Sequence, residues 1–409
     1  MKNTVKSTPW YFKPTVILFA GCLVAIVNFG VRSTFGQFTL PISEAHGWPR
    51  ETYSLAIALQ NLLWGIGTPM AGALADRYGS ARVLMVGAVL YAVGIVTMNV
   101  AGTPFIFHLG GGIIVGIGIA LSSFGIVMAA LGRIVPPEKR SWAFGLATAS
   151  GSLGQFIFSP LVGALIAAYD WHTTLLILAA SSLLIIPFAV PFLVQNTTTS
   201  KASAGETSLS MGDAITKAFG HSSYIMLVAG FFVCGFQLAF VTVHLPPYLA
   251  EHGFSKEFAG SAMALIGLFN VAGSYTSGII GGRGDKRFPL SAIYLLRAIV
   301  TAAFILVPMT QTTVLLFTAC LGFLWLSTVP LTMGLVTVMF GTRYMATLYG
   351  FVFLSHQIGS FLGVWLGGKL YDIYGTYDVV WWMSVGLAIF AALVNLPIKE
   401  QRAESFAAA

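Results

Sequence analysis

Three basic side chains lie well inside long apolar stretches of the sequence, away from the ends: Arg32, Arg297 and His356. The 14 acidic residues, in contrast, lie at the ends of such stretches, in polar loops or near the termini. A charge in hydrocarbon costs at least ~2.5–3.5 kcal/mol, so it persists where it lines a cavity and has a partner. Because no carboxylate lies at the same depth, the natural partner is a bound anion. A guanidinium binds a planar carboxylate through two parallel hydrogen bonds.

These residue types predict different roles. Arg32 is predicted to be the main anion-binding residue. His356 is expected to be a second cation or a proton carrier, because histidine gains a proton near neutral pH; a neutral, hydrogen-bonded histidine is the alternative. For Arg297 a structural role, or one at the membrane surface, is favoured. Lys369 and Asp372 are three residues apart and are expected to form an ion pair.

Amides and hydroxyls inside the apolar stretches are further candidates for substrate contacts. They are Asn28, Gln37, Gln60, Asn61, Ser123, Gln155, Gln237, Asn270, Tyr275 and Gln357. Asn28 and Arg32 are four residues apart and therefore share one helix face. Buried amides also join neighbouring membrane helices, so the sequence leaves open which of them contact a ligand. No spacing of Cys, His or carboxylates indicates a metal site, and no cofactor is expected.

The stretches that carry these residues indicate a membrane protein. Of the 409 residues, 56% are hydrophobic and 9% are charged, whereas soluble domains have about 25% charged residues. This composition excludes a water-soluble enzyme and a disordered chain. Stretches long enough for a bilayer-spanning helix of ~20 residues lie near 15–40, 52–75, 83–101, 104–132, 142–168, 173–194, 222–249, 257–281, 288–308, 312–340, 346–371 and 379–398. We therefore predict an all-α polytopic fold with twelve transmembrane helices.

Lysine and arginine are distributed unequally between the two sides of this predicted bundle. With both termini in the cytoplasm, 16 of them lie on the cytoplasmic side and only Arg50 and Lys256 on the other, as the positive-inside rule requires. The basic residues are spread over several short segments, so the net charge of +7 does not indicate a nucleic-acid partner. We expect a monomer that spans the lipid bilayer of the cell inner membrane. Trp64 and five other tryptophans are expected in an interfacial belt near the helix ends.

The two halves of the sequence repeat on either side of a polar segment at 196–220. Ser, Thr and Gly dominate this segment, which is typical of a flexible cytoplasmic linker. A shift of 206 residues superposes His46 on His252 and aligns several glycines. The predicted organisation is a six-helix bundle at 1–195 and a second one at 221–409. Parallel repeats of this kind occur in transporters, which bind substrate near the midplane.

The loop after the second apolar stretch carries a recognisable motif. Its sequence, Gly72-Ala-Leu-Ala-Asp76-Arg77-Tyr-Gly79-Ser-Ala-Arg82, resembles the signature of the major facilitator superfamily. The segment His46-Gly-Trp-Pro-Arg-Glu51 and the glycine-rich fifth stretch are similar to the monocarboxylate porter and oxalate:formate antiporter group. The resemblance implies two six-helix bundles that alternate access to a central site. It also implies that Asp76, Arg77 and Arg82 belong to a gate on the cytoplasmic side.

Together these features predict a secondary transporter of a small organic anion, a monocarboxylate, that works by alternating access with proton symport. The proton would travel on His356 or as the acid proton of the substrate. Anion exchange is the main alternative, and a membrane sensor of the same fold is another. No nucleophile–base spacing appears within the apolar stretches, so the chain is not expected to be an enzyme.

Overall fold

The computed structural model describes residues 14–123, 125–127, 137–197, 211–282, 284–341 and 345–403. Its long helices are α1 (Thr15–His46), α2 (Arg50–Tyr78), α3 (Ser80–Asn99), α4 (Pro104–Val127), α5 (Pro137–Ala168), α6 (Trp171–Leu193), α7 (Ser222–Glu251), α8 (Lys256–Gly281), α9 (Arg287–Leu306), α10 (Gln311–Phe340), α11 (Met345–Tyr374) and α12 (Asp378–Asn395). Helices long and apolar enough to cross a membrane number 11 within the described residues. The remaining one, α2, has 29 residues, or ~44 Å at 1.5 Å per residue, and can cross as well. The predicted all-α membrane fold is confirmed.

Buried apolar side chains form two large clusters. One is built mainly from α1 to α6 and the other from α7 to α12. The halves meet where α2 packs on α11, α5 on α8, and the end of α1 on α7. Glycines allow close approach: a Cβ on Gly260 of α8 would lie 2.6 Å from the carbonyl oxygen of Ser159 on α5. Backbone therefore lies against backbone, as is common between membrane helices with small residues at their interface.

The two halves touch at one end of the molecule and separate toward the other. Where α2 begins, Arg50 contacts the last turns of α7 and α11. Further along, the two halves still touch at Asn270 of α8 and at Phe353 of α11. Beyond that level, a Cβ on Gly72 or Gly278 would meet no described atom within 4 Å. We refer to these as the closed end and the open end.

Helix α10 is broken between Leu324 and Ser327. In a membrane the backbone groups freed by such a break need protein partners, because water is absent from the hydrocarbon. Arg297 of α9 donates to the carbonyl oxygen of Leu324 (2.7 Å) and to that of Trp325. Oδ1 of Asn270 on α8 accepts a hydrogen bond from the backbone N–H of Leu326 (3.0 Å). Side chains of two neighbouring helices thus stabilise the break.

Candidate functional site

The guanidinium of Arg32 on α1 contacts two side chains of α2. Nη2 donates a hydrogen bond to Oδ1 of Asn61, and Cζ lies 4.5 Å from the ring centroid of Trp64. Asn61 is oriented in turn by a bond from its Nδ2 to the carbonyl oxygen of Ile57 (2.9 Å). The Nε of Arg32 is buried and has no acceptor among the described residues. Arg32 is therefore held by the protein through one nitrogen and keeps another as a free donor.

Two aromatic rings connect Arg32 to the other half of the molecule. The rings of Trp64 and Phe353 meet edge to face, with centroids 5.4 Å apart, and Phe353 stacks on His356 at 5.7 Å. Both predicted cations therefore flank one aromatic layer between the halves. Trp64, predicted above to lie in an interfacial belt, is instead 8% exposed and lies midway along α2. Phe353 has no polar group, so only its position three residues before His356, on the same helix face, points to the site.

Gln357 lies next to His356, where α11 packs on α2. Its Oε1 accepts hydrogen bonds from Nδ1 of His356 (3.0 Å) and from Oγ of Ser360 (3.2 Å). Because an amide oxygen only accepts, this hydrogen bond requires the tautomer of His356 that has its proton on Nδ1. Gly65 of α2 provides the space, since a Cβ there would lie 2.6 Å from the Cβ of Gln357. The Nε2 of Gln357 is buried without a partner in the described part of the chain.

Two buried N–H donors from opposite halves thus lack an acceptor: Nε of Arg32 and Nε2 of Gln357. An unpaired buried donor costs ~1–3 kcal/mol, so each gains from an acceptor that a ligand supplies. The rings of Trp64 and Phe353 offer apolar surface beside them. The arrangement suits an acceptor-only group, such as a carboxylate, attached to an apolar substituent. No group of three His, Cys, Asp or Glu side chains that could hold a metal ion occurs in the described ranges.

Most of the other predicted contact residues make hydrogen bonds between helices. These bonds run from Asn28 to Ser122 (2.8 Å), from Gln37 to Ser159 (2.9 Å), from Gln60 to Gly111 (2.9 Å), from Gln155 to Met263 (3.1 Å), from Gln237 to Ser384 (3.1 Å) and from Asn270 to Ser152 (2.9 Å). The Oγ of Ser123 is buried and has no partner among the described residues. Tyr275 is 72% exposed. The structure therefore brings Arg32, Asn61, His356 and Gln357 to the aromatic layer, whereas the amides in this series tie helices together.

Arg297 lies in the second half, away from solvent. It is 0% exposed, and its guanidinium binds the carbonyl groups at the break in α10. A third contact joins its Nη1 to Oε1 of Gln237 at 3.5 Å. Its hydrogen-bonding capacity is thus directed to protein acceptors. A structural role remains our prediction for this residue.

Arg50 is the centre of the contacts at the closed end. It forms an ion pair with Glu251 at the end of α7 and donates from Nη1 to the hydroxyl of Tyr377 (2.9 Å). Its Cζ lies 3.7 Å from the ring centroid of Tyr371 on α11. One arginine of the first half therefore binds two helices of the second.

Asp372 and Glu51 complete these contacts. The carboxylate of Asp372 accepts from the backbone N–H groups of Arg50 (3.1 Å) and Glu51 (2.7 Å) at the start of α2, where the helix dipole favours a negative charge. Glu51 accepts a hydrogen bond from the indole of Trp365 (3.0 Å) and lies 3.8 Å from Nζ of Lys369. The predicted pairing of Lys369 with Asp372 is wrong. Both residues instead bind across the interface to α2, because α11 packs there.

The predicted gating residues lie at the open end. Arg77 and Arg82 are exposed, and the guanidinium of Arg77 lies 5.3 Å from the ring centroid of Tyr78. The side chain of Asp76 lies outside the described part of the structure. Their role in a gate stays a prediction.

Comparison with known proteins identifies the family. A family model described as Major Facilitator Superfamily matches residues 21–364. The chain belongs to the major facilitator superfamily. This confirms the resemblance carried by the motif at 72–82 and makes the protein a multi-pass membrane transporter of a small molecule, not an enzyme.

Individual relatives within this superfamily are distant. Monocarboxylate transporter 13 of Rattus norvegicus is 26% identical over 391 residues, which cover 93% of this chain and 88% of the relative. Uncharacterized MFS-type transporter YcxA of Bacillus subtilis is 23% identical, with 93% and 94% covered. Among solved structures, a bacterial homologue of the human lysosomal transporter Spinster, inward-facing and unoccupied, has a TM-score of 0.75 at 16% identity, with 96% of each chain covered. The nucleoside transporter NupG has a TM-score of 0.76 at 14% identity, with 93% and 99% covered. At this identity the solved structures show the fold alone.

Proposed function

We propose that this protein transports a small organic anion, a monocarboxylate, across the membrane by alternating access. The observation that carries the proposal is the pair of buried, unpaired donors, Nε of Arg32 and Nε2 of Gln357. One carboxylate oxygen would accept from each of them, and the apolar part of the substrate would pack on Trp64 and Phe353. Relatives named monocarboxylate transporters support the same substrate class, at 22–26% identity.

In this proposal the substrate joins the two halves. Arg32 belongs to the first half and Gln357 to the second, so a carboxylate bound to both favours a conformation in which the halves stay close around it. Binding of the substrate then biases the equilibrium between conformations through its different affinity for each. In the empty site the two buried donors lack acceptors, which costs free energy. In the occupied site the carboxylate accepts from both donors, and this cost is removed.

The predicted orientation of the chain indicates which side of the membrane the closed end and the open end face. The predicted positive-inside orientation puts the closed end, with Arg50, on the non-cytoplasmic side of the membrane and the open end in the cytoplasm. The conformation described here would then be inward-facing, as is the Spinster homologue of similar fold. Asp76, Arg77 and Arg82 would belong to the cytoplasmic gate that closes in the opposite conformation. The inner membrane remains the proposed location.

Proton symport is assigned to His356. Its Nδ1 is engaged by Gln357 (3.0 Å), so a second proton on Nε2 adds a charge and a donor beside the proposed carboxylate site. Among the described residues, Cys234 interacts with His356 and Arg297, and Tyr294 and Tyr349 lie beside Cys234. Proton and anion would favour each other's binding by the same coupling free energy.

The experiment that tests this function is uptake into proteoliposomes that contain the purified full-length protein. Labelled monocarboxylates, dicarboxylates and neutral nucleosides would be compared, with and without an inward proton gradient. We expect accumulation of a monocarboxylate against its concentration gradient only when the proton gradient is imposed. Uptake that needs an internal anion and ignores the proton gradient would identify an exchanger. Preference for a neutral substrate would refute the anion site.

A further inference from the structure

A cavity of about 480 Å³ lies at the open end of the second half, away from the proposed substrate site. One wall is a short helix (Met211–Phe219, the linker helix) together with the turn that leads into α7. The opposite wall is the segment that follows α12. The residues that line the cavity are Lys217, Gly220, His221, Lys399, Gln401, Arg402 and Ala403.

The wall formed after α12 is fixed in place by backbone hydrogen bonds. The N–H of Lys399 donates to Oγ of Ser223 at the start of α7 (3.0 Å). The N–H of Ala403 donates to the carbonyl oxygen of Met339 near the end of α10 (2.9 Å). The cavity is therefore a defined feature of the fold and not a gap beside a loose tail.

The cavity is strongly basic. Lys217, Lys399 and Arg402 have no ion-pair partner among the described residues, and no acidic residue belongs to the described lining. The neighbouring carboxylate of Glu400 is engaged elsewhere, because it accepts from the N–H of Arg287 (2.7 Å) and lies 3.9 Å from Nζ of Lys286. Three cations without an ion-pair partner in the described ranges thus line one cavity and attract an anion.

His221 also lines the cavity. Its Nδ1 is buried and has no hydrogen-bond partner in the described part of the chain. The ring is held against Phe340, with centroids 5.8 Å apart. The ring therefore forms an aromatic part of the wall beside the cations.

The linker helix indicates at which level of the membrane the cavity lies. Ala214 and Ala218 are buried against the protein, whereas Met211 and Phe219 are 45% and 40% exposed. An amphipathic helix with exposed apolar and basic side chains lies at the boundary between acyl chains and headgroups. The cavity therefore opens at the headgroup level of the bilayer and not deep in the aqueous phase.

We propose that this cavity binds the phosphate of an anionic phospholipid headgroup from the leaflet at the open end. Lys217, Lys399 and Arg402 would bind the phosphate, as basic pockets on transporters' cytoplasmic side can bind anionic lipids. The acyl chains would lie along Phe219 and Met211. This proposal does not depend on which substrate is transported.

The test is thermal stability of the purified full-length protein, titrated with short-chain phosphatidylglycerol, with phosphatidylcholine of equal chain length as the neutral lipid. We expect stabilisation by phosphatidylglycerol only. The double variant Lys217→Gln/Arg402→Gln should lose at least about tenfold in apparent affinity, because two cations near the surface are removed. The charge-conserving pair Lys217→Arg/Arg402→Lys should retain binding. Lys256→Gln, which removes an exposed cation at the closed end, should match the wild type.

Two results would overturn the proposal. The first is equal affinity for phosphatidylglycerol in the wild type and in Lys217→Gln/Arg402→Gln; if that pair does not fold, the same measurement on Lys399→Gln decides. The second is stabilisation by glycerol phosphate at the same concentrations as by the lipid. In that case the occupant is a soluble phosphate and the lipid assignment is wrong.

Discussion

At the scale of single residues, the interactions of Arg32 explain why an arginine persists inside an apolar helix. Asn61 accepts one of its hydrogen bonds and Trp64 lies against its guanidinium. Together they offset part of the cost of burying the charge. The remaining free donor, Nε, is the part that we assign to the substrate.

Replacement of Arg32 tests this assignment. In Arg32→Ala we expect substrate affinity to fall at least about thirtyfold, because loss of one partner of a buried charge pair costs ~2–5 kcal/mol. Arg32→Lys should retain part of the affinity, since lysine keeps the charge but loses the fork geometry. Equilibrium binding of the labelled substrate measures both. Normal binding and transport by Arg32→Ala would contradict the proposed anchor. Lys256→Ala, at an exposed lysine of the closed end, controls for the loss of net charge.

The proposed role of His356 predicts how the affinity for the substrate depends on pH. If proton and anion bind together, affinity should rise as the pH falls from about 8 to 6, the range in which histidine side chains gain a proton. The carboxyl of the substrate titrates near pH ~4 and contributes little to a change in that range. In His356→Gln we expect a flat profile and no uphill uptake driven by a proton gradient, with exchange partly retained.

Another histidine provides the control for this experiment. His108 binds the carbonyl oxygen of Thr52 near the closed end (2.9 Å), outside the proposed site. His108→Gln should therefore keep the pH dependence of the wild type. Parallel affinity curves for wild type and His356→Gln would eliminate proton coupling through His356.

At the scale of the helices, the contact between α5 and α8 depends on glycines, whose lack of a side chain lets the two backbones lie close together. A Cβ on Gly260 would lie 2.6 Å from the carbonyl oxygen of Ser159, and one on Gly267 would lie 2.9 Å from that of Ser152. Backbone atoms cannot yield as a flexible side chain can. Any larger residue at these positions must therefore separate the two helices and weaken the closed end.

We expect Gly260→Leu to favour a conformation that is open at the present closed end. The rate at which a membrane-impermeant thiol reagent modifies a cysteine placed at Ala259 should rise about tenfold, since overpacking costs ~1–3 kcal/mol. Exposed Cys320 would be replaced by alanine in this background. Gly278→Leu on the same helix is the matched control, because a Cβ there meets no described atom within 4 Å. Equal labelling of the two variants would show that the α5–α8 contact does not control this end.

At the scale of the whole molecule, the closed end depends on charges from both halves. Asp372 accepts two backbone hydrogen bonds at the start of α2, while Arg50 binds Glu251 and two tyrosines. These interactions exist only while the halves are together. They therefore stabilise this conformation relative to one that is open at the same end.

Removal of the Asp372 carboxylate should shift that balance. In Asp372→Ala we expect conformers open at this end to increase about tenfold, which corresponds to the loss of hydrogen bonds to one charged group. Spin labels at Thr103 and Thr310, in closed-end loops of opposite halves, would report longer distances. Asp378→Ala is the control, since its backbone and not its side chain makes the hydrogen bond seen at that residue. An unchanged distance distribution in Asp372→Ala would mean that packing alone keeps this end closed.

The pattern of apolar residues along the chain was enough to predict the class of protein and its helical fold. Hydrocarbon requires about 20 apolar residues per helix, and that requirement acts on each stretch separately, so the helices could be counted without knowing how they pack. The same local argument singled out Arg32 and His356, because a charge in an apolar stretch is conspicuous on its own.

Which side chains contact each other could be read only from the packing of the helices. The aromatic layer joins Trp64 of α2 to Phe353 of α11, and neither ring is distinguishable in sequence from its apolar neighbours. Lys369 binds Glu51 and not Asp372, because a partner on another helix lies closer than one on the next turn. Such contacts depend on which helix faces pack together. That packing depends on how many side chains from several helices fit together. The spacing of residues within one stretch therefore does not predict it.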